Sequence, residues 1–383
     1  MTPFSIALPG RVLFGRGESA RAPGLIRALG GRGLLVHGAD PARAGWLVRA
    51  LAHEGARVTT VACPAEPTLP MLEEALARIA RPDPGEGEGG EWVVALGGGA
   101  ALDFAKALAA LIPAPGGPMD HLEIVGRGLP LAAPTLPMVA IPTTAGTGAE
   151  ATRNAVIGLP GHGRKVSIRD DRMLPRIAIV DPALCDGAPR AVTLGSGLDA
   201  LAQVIEPWVS ARATPFTDAL VRPAIGPGLA ALARLMAAED PEVRDRMSWV
   251  SLCGGMALAN GGLGAVHGLA GVIGGLTGAA HGAICGALLG PVLAMNRRLV
   301  PDPARIDAVC ELIAEVLGGA PADAPARLAD WARGCGLPGL AAQGLDPAQH
   351  AQVARDALAS SSMKGNPVMP SVDQLCAVLA EAS

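Results

Sequence analysis

The 383-residue chain has no tyrosine, four phenylalanines and five tryptophans. With so few rings, its interior has to be built from Ala, Leu, Val and Gly. Positive charge is not in excess: 31 Lys and Arg against 35 Asp and Glu leave a net charge of −4. That balance gives nucleic acid no basic surface to bind. The seven cysteines (Cys63, Cys185, Cys253, Cys285, Cys310, Cys335 and Cys376) include no CxxC pair. An odd, unclustered set argues against a disulfide framework and a Cys-rich zinc site. Cys253 and Cys285 sit in apolar surroundings and are expected to be small core residues. The opening MTPFSIALPGRVLFGRG lacks a basic segment followed by a long apolar run, so a cytoplasmic location is expected.

Charge is also missing locally. Between Met247 and Asn296 there is no Asp, Glu, Lys or Arg. The stretch is long enough for two membrane spans. It is interrupted by Asn260, His267, His281 and many glycines, however, and its flanks carry no topogenic pattern. Buried helices of a soluble domain, with no membrane partner, are the expectation.

What is present is 50% hydrophobic residues against 17% charged, in a chain long enough for two full cores. Strands are expected at Gly33–His37, Arg57–Ala62, Trp92–Leu96, Met138–Ile141 and Ile177–Val180. Helical patterns lie near 18–29, 41–54, 68–81 and 100–111. This alternation implies an α/β domain with a parallel sheet covered on both faces. The run Pro82–Gly90 (PDPGEGEGG) reads as a surface turn. After Asp181-Pro182 the pattern turns helical: 194–207, 216–236, 242–260, 263–275, 281–295, 304–317, 323–334, 346–359 and 371–381. The expected domains are 1–183, an α/β nucleotide-binding domain, and 184–383, an all-α domain, with the site in the cleft between them.

Three features carry chemistry. Trp92–Leu96 runs into Gly97-Gly98-Gly99, and a helix opens directly afterwards. Glycines there let a pyrophosphate approach backbone N–H groups at the positive end of a helix. A tight structural turn is the alternative reading. Thr143, Thr144 and Thr147, in the run from Ile141 to Gly148, again follow an apolar strand, at the end where α/β sheets bind ligands. A capped turn would look the same. The third feature is His267 and His281 in the uncharged stretch. Two buried imidazoles need partners, because an unpaired buried polar group costs on the order of a few kcal/mol. Asp199 and Gln203, four apart on one helix face, could join them around a cation. Asp199 as a cap and each His as a satisfied core residue are the bland alternatives.

These segments resemble a known family. GGGAALDFAK resembles the GGGSxxDxxK signature of the iron-containing (group III) alcohol dehydrogenases, and IPTTAGTGAE their IPTTAGTGSE. GSGLDALAQVIEPWVS resembles their GxDALxHxIE helix, and LGAVHGLAGVIGGLTGAAHGAICGALLGPV their LGxxHAxAHxLG…HGxxNAxLLP region. The resemblance runs to the SSSMKGNP tail. It implies a dehydroquinate synthase-like architecture and an NAD(P)-dependent oxidoreductase acting on a small alcohol, aldehyde or keto acid. By resemblance, Gly97, Gly98, Gly99, Asp103, Thr143, Thr144 and Thr147 contact the dinucleotide. Lys165 lies near the nicotinamide or substrate. Asp199, Gln203, His267 and His281 hold a divalent metal, Fe²⁺ or Zn²⁺, and His267 and Lys165 are the catalytic candidates.

The chain departs from the family at three places. Gln203 stands where the usual member has a His, Gly271 where it has a further His beside the substrate, and Ala149 where it has Ser. A neutral amide oxygen should hold Fe²⁺ or Zn²⁺ less well than imidazole. Related maleylacetate reductases also depart around the metal positions, so C=C reduction with little or no metal is one alternative. A lyase like dehydroquinate synthase is another, and a relative that only binds nucleotide a third. Gly38 stands at a strand end where NAD-preferring relatives often have Asp, so NADP is admitted beside NAD. A homodimer is left open.

Overall fold

The computed structural model describes residues 3–79 and 90–383. The expected turn at Pro82–Gly90 lies outside the described residues, apart from Gly90. The chain divides into two compact units. One comprises Ala7–Thr144 and Ala149–Leu184, the other Cys185–Ser383 with Ala145–Gly148 and the residues up to Ile6.

Among the described residues, the first unit contains β1 (Val12–Phe14), β2 (Arg32–His37), β3 (Arg57–Ala62), β4 (Trp92–Gly97), β5 (Met138–Pro142), β6 (Asn154–Leu159), β7 (Arg164–Arg169) and β8 (Ile177–Val180). Six of these form a parallel sheet in the order β1-β8-β5-β4-β2-β3. Its helices are α1 (Ala22–Arg27), α2 (Gly45–His53), α3 (Leu69–Ile79), α4 (Gly99–Leu111) and the single turn α5 (Pro118–His121). Strands β4, β5 and β8 are buried along their whole length, as central strands covered on both faces must be. The period-2 pleat divides β4 between two cores. Val93 and Ala95 enter one with Phe104 and Leu108 of α4, while Trp92, Val94 and Leu96 enter the other with Leu47 and Leu51 of α2.

The five expected strands are present. β1 was not expected, because three residues are too few to show a period. The antiparallel hairpin β6–β7 was not expected either. Its strands carry Asn154, Gly158, Arg164 and Lys165, and only a half-buried alternation marks them.

A buried polar knot fastens α4 to β6. Lys106, 1% exposed, donates to Thr152 Oγ1 at 2.6 Å and to the Asn154 carbonyl at 2.9 Å. Its ammonium lies 3.6 Å from Asp103. Burial pushes the nearby Glu150 carboxyl up to about 7, against the pull of its own backbone N–H and of Lys106. A carboxyl raised in the folded state leaves stability intact below its ordinary 4.5 and lowers it as pH rises towards 7. The full effect is about 3 kcal/mol at 1.36 kcal/mol per pH unit. Glu150→Gln should therefore gain stability over the parent by roughly 2–3 kcal/mol between pH 5 and pH 8. Urea unfolding of both proteins across that range measures it, and a pH-independent difference would refute it.

The second unit is helical: α6 (Arg190–Val209), α7 (Pro215–Ala237), α8 (Pro241–Gly261), α9 (Ala265–Thr277), α10 (His281–Leu299), α11 (Ala304–Leu317), α12 (Ala324–Gly334), α13 (His350–Leu358) and α14 (Val372–Ala382). Capping residues mark several starts. Thr214 accepts from the Thr217 N–H, Asp240 from those of Glu242 and Val243, and Ser371 from that of Gln374. The fully buried core is Leu, Ile, Val, Ala, Met and Cys with no aromatic ring, as the composition required. The uncharged stretch 247–296 falls in α8, α9 and α10. Of the described helices, α7 alone is long and apolar enough to cross a membrane, and half of its apolar window is buried inside the protein. The α8–α9 pair reaches that measure only as a unit bent by 98°.

Candidate metal centre and dinucleotide turn

Helix α6 presents Asp199, Gln203 and Glu206 at spacings of four and three, so they share one face. All three are buried: 1%, 2% and 4% exposed. Against this face come the first turns of α9 and α10. The His267 Nε2 lies 3.2 Å from Asp199 Oδ1, and its Nδ1 lies 2.6 Å from Glu206 Oε2. His281 Nε2 lies 3.9 Å from the same Asp199 oxygen, and the two imidazole centroids are 5.4 Å apart.

Glu206 explains how α9 is held. Its other oxygen accepts from the Val266 N–H at 2.7 Å, while Asn366 Oδ1 accepts from the Ala265 N–H at 3.0 Å. Two of the orphan donors at the start of α9 are thus satisfied, one by a carboxylate suited to that end of the dipole. Gly264 makes room for it: a Cβ there would stand 2.8 Å from Asn366 Oδ1 and 2.9 Å from Glu206 Oε1. Gly282 does the same for α10. A Cβ on it would meet the Gly195 carbonyl at 2.5 Å, so only glycine lets the start of α10 lie against α6 and bring His281 to Asp199.

The electrostatics suit a cation. Burial works against a proton on His267, but the Cys285 sulfur and the Asp199 and Glu206 carboxylates outweigh it and hold the imidazole well above its usual range. His281 is raised to about 9, again against burial, chiefly by Cys285 and Asp199. Asp199 is lowered in spite of its burial by the His267 bond and the charge of both imidazoles. A group of negative and ligating atoms that retains protons this firmly is one that a divalent ion satisfies in their place.

Gln203 fits as well. Its Nε2 donates weakly to the Gly146 carbonyl at 3.4 Å, and its buried Oε1 has no hydrogen-bond partner. The side chain also bonds Asp199, and a buried acceptor left open next to that carboxylate is what an ion would complete. Replacing this amide with imidazole should raise metal retention. Gln203→His is expected to hold a divalent ion ~10-fold or more tightly, if ligand identity acts at least as strongly as ligand support. Elemental analysis after dialysis against a weak chelator reads this, and equal retention by both proteins would refute it.

Of the expected Asp199, Gln203, His267 and His281, the fold brings donor atoms of Asp199, His267 and His281 within 4.8 Å of one another and sets Gln203 against Asp199. The sequence reading did not single out Glu206, although the residue closes the quoted GxDALxHxIE pattern; an acidic residue seven after Asp199 on an apolar helix was the available signal. It also took Cys285 for core. The sulfur is fully buried, yet it lies 3.5 Å from His281 Nε2. Gly271, one turn after His267 on α9, faces open space: a Cβ there would meet nothing within 4 Å.

In the α/β unit, β4 ends at Gly97 and α4 starts at Gly99. Gly98 is the N-cap, with extended backbone and no side-chain cap, so the first N–H groups of the 13-residue helix α4 are left without a side-chain partner at its positive end. The Thr143 N–H donates to the Gly97 carbonyl at 2.9 Å. A Cβ on Gly98 would lie 3.3 Å from Thr144 Oγ1. Gly97, Gly98, Thr143 and Thr144 therefore form one locus. Gly38, at the end of β2, borders it: a Cβ on Gly97 would stand 3.4 Å from the Gly38 nitrogen, whereas one on Gly38 would meet nothing. Thr147 falls within the helical unit. Asp103 is turned to other work, accepting from the Val156 N–H at 3.1 Å and pairing with Lys106. Lys165, on β7, is ion-paired with Glu66.

Comparison with known proteins identifies the family. Residues 9–182 match the model of the iron-containing alcohol dehydrogenases, and residues 193–383 match that of the C-terminal part of the same family. A probable alcohol dehydrogenase, EutG, of Escherichia coli is 32% identical over 88% of this chain and 82% of its own length. The NAD-dependent methanol dehydrogenase of Bacillus methanolicus is 33% identical over 81% and 85%. Among solved structures, a 1,3-propanediol oxidoreductase aligns over all of both chains with a TM-score of 0.87 and 27% identity. The chain belongs to the iron-containing alcohol dehydrogenase family. It is an oxidoreductase that interconverts an alcohol and a carbonyl compound by hydride transfer, with the α/β plus helical architecture of that family. Its relatives are alcohol dehydrogenases and a lactaldehyde reductase, which does not favour C=C reduction or a lyase reaction.

Proposed function

We propose that this chain interconverts a small alcohol and its aldehyde or keto acid, with NAD(H) or NADP(H) bound by residues 1–183 and a divalent metal held by residues 184–383. The observation that carries the reading is the set of buried Asp199 and His267 with half-buried His281, backed by Glu206. When bound by these residues, Fe²⁺ or Zn²⁺ supplies Lewis acidity to the substrate oxygen, and the nicotinamide supplies hydride. Asp199 contributes the charge that balances the ion. Glu206 accepts from the Nδ1–H of His267, so that when an ion displaces the Nε2 proton shared with Asp199 the Nε2 lone pair would be free to bind it, the carboxylate–histidine arrangement common behind metal ligands. With both ring nitrogens engaged, His267 suits a ligand better than a proton relay, and the Gly271 position offers no imidazole. The alkoxide proton is then left to water or a ribose hydroxyl.

The turn at Gly97, Gly98 and Gly99 is assigned the pyrophosphate, with Thr143, Thr144 and Thr147 as further dinucleotide contacts. Asp103 orders α4 behind the turn. Lys165 is assigned to the nicotinamide or substrate by family resemblance, its ammonium held in place by Glu66. A cytoplasmic enzyme without membrane or nucleic-acid partners, working as a homodimer, completes the reading. Turnover of NADH and NADPH with a panel of short aldehydes and keto acids tests it. No oxidation of either nucleotide by metal-loaded protein would overturn it.

Cofactor choice is argued from Gly38. The residue has open space around its α-carbon and puts no carboxylate against a 2′-phosphate, so use of NADPH is expected. Gly38→Asp should lower kcat/KM for NADPH by tenfold or more. Two charges ~4 Å apart at an effective dielectric near 20 repel by up to ~4 kcal/mol, and each ~1.4 kcal/mol is a factor of ten. NADH should change little, since the carboxylate can accept from its 2′-OH. An unchanged ratio of the two kcat/KM values would show that residue 38 does not face the ribose.

A further inference from the structure

Cys285 lies four residues after His281 on α10, so the two side chains leave the helix on the same face. The imidazole and the thiol converge: Sγ is 3.5 Å from His281 Nε2, and the residue has no exposed surface. One donor atom each from Asp199, His267, His281 and Cys285 all fall within 4.8 Å of one another. The separations themselves are informative. Tetrahedral ligands ~2.0–2.3 Å from a zinc ion are about 3.3–3.8 Å from each other. The structure gives 3.2 Å for His267–Asp199, 3.9 Å for His281–Asp199 and 3.5 Å for Cys285–His281. A cysteine placed only to fill the core would have no reason to turn its sulfur to this set. Cys253, the other cysteine in the uncharged stretch, is not part of the group.

The family positions the chain resembles have Asp and three imidazoles, with asparagine where Cys285 stands. This chain has an amide at residue 203 and a thiol at residue 285. We propose that Cys285 is the fourth metal ligand, replacing the imidazole absent at Gln203, and that the resulting Asp–His–His–Cys set takes zinc in preference to iron(II). The inference rests on the metal-dependent reading above. On coordination the thiol proton leaves to solvent and the sulfur donates as thiolate. One soft thiolate and two imidazoles in a tetrahedral arrangement suit zinc, whereas the oxygen and nitrogen donors of the usual set are more permissive of iron. Gln203, neutral and with its amide nitrogen on the Gly146 carbonyl, then contributes no more than a weak further donor through its open Oε1.

The test uses the full chain, stripped of metal and titrated with cobalt(II), a spectroscopic stand-in for zinc. The expected result is a set of visible ligand-field bands with the intensity of a tetrahedral ion, together with a near-ultraviolet sulfur-to-cobalt charge-transfer band. In Cys285→Ser, nearly isosteric and so folded by circular dichroism, the charge-transfer band should vanish while ligand-field bands remain. Zinc affinity should fall by at least tenfold. In anaerobic competition between equimolar zinc and iron(II), the parent protein should take up zinc, and the variant a larger share of iron. Ligand-field bands without a charge-transfer band in the parent protein would overturn Cys285 as a ligand while leaving a metal centre in place. Absence of any cobalt spectrum would overturn both. The parent spectrum decides the point even if the variant does not fold.

Discussion

Glu206→Gln should lower the affinity of the protein for a divalent metal by about 10–100-fold, the usual cost of losing the group behind a histidine ligand. The reason is the tautomer. Glu206 accepts from both His267 Nδ1 and the Val266 N–H. A glutamine there can keep only one acceptor. With its oxygen on Val266, its amide NH₂ faces Nδ1 and donates to it. The ring proton then sits on Nε2, where the lone pair is needed. With the amide reversed, the NH₂ group opposes the Val266 N–H and the start of α9 loses its cap. The first arrangement costs metal, whereas the second keeps the tautomer but leaves buried donors unmet at about 1–3 kcal/mol, so the first prevails. Zinc titration by calorimetry measures the affinity, and the ¹⁵N shift of His267 Nδ1 in the zinc-loaded protein reports whether that nitrogen keeps its proton. An unchanged zinc affinity would remove Glu206 from the site.

Gly98→Val should abolish dinucleotide binding. The Cβ position at residue 98 faces Thr144 at 3.3–3.4 Å, which is close but tolerable for the fold, and its extended backbone suits valine. What valine takes away is the space in which a phosphate reaches the first N–H groups of α4. The expected loss is at least 100-fold in affinity for NADH and NADPH alike, about 2.7 kcal/mol or more. Zinc binding in the helical unit should stay as it was. Calorimetry with each nucleotide and with zinc separates these outcomes. Nucleotide affinity equal to that of the parent would place the phosphate elsewhere.

The two expected effects draw on different kinds of information. The glycine turn could be read along the chain, because strand, turn and helix are consecutive and each has a local signature. Val93, Val94 and Ala95 announce a buried strand, and Gly97-Gly98-Gly99 followed by α4 announces the turn. The period of the second half likewise placed α6 to α14 within a few residues of where they lie, since one apolar face in every 3.6 residues is a local property. Absence of tyrosine and scarcity of other rings also determined the kind of core, and the helical unit packs Leu, Ile, Val and Ala without one aromatic ring in its buried centre.

Partners from distant positions could not be read that way. His267 and His281 drew attention because charge is absent around them, and Asp199 and Gln203 because they share one helix face, with the resemblance tying the four together. Nothing in the order of residues says that Glu206 ends beneath His267 while capping α9, 60 residues away in sequence from Val266. Cys285 differs locally from Cys253 only in following His281 by four residues on one helix, and that spacing does not say that its sulfur meets the ligand set while Cys253 joins no cluster among the described residues. The hairpin β6–β7 and the Lys106 knot were hidden for the same reason: their polar residues look solvent-facing until α4 covers them. Periodicity and turn chemistry act over a few residues, so the chain alone determines most of its elements, the make-up of its cores and its glycine turn. Which side chains share a buried point depends on helix crossings permitted by single glycines such as Gly264 and Gly282, and those contacts exist only once the helices have packed.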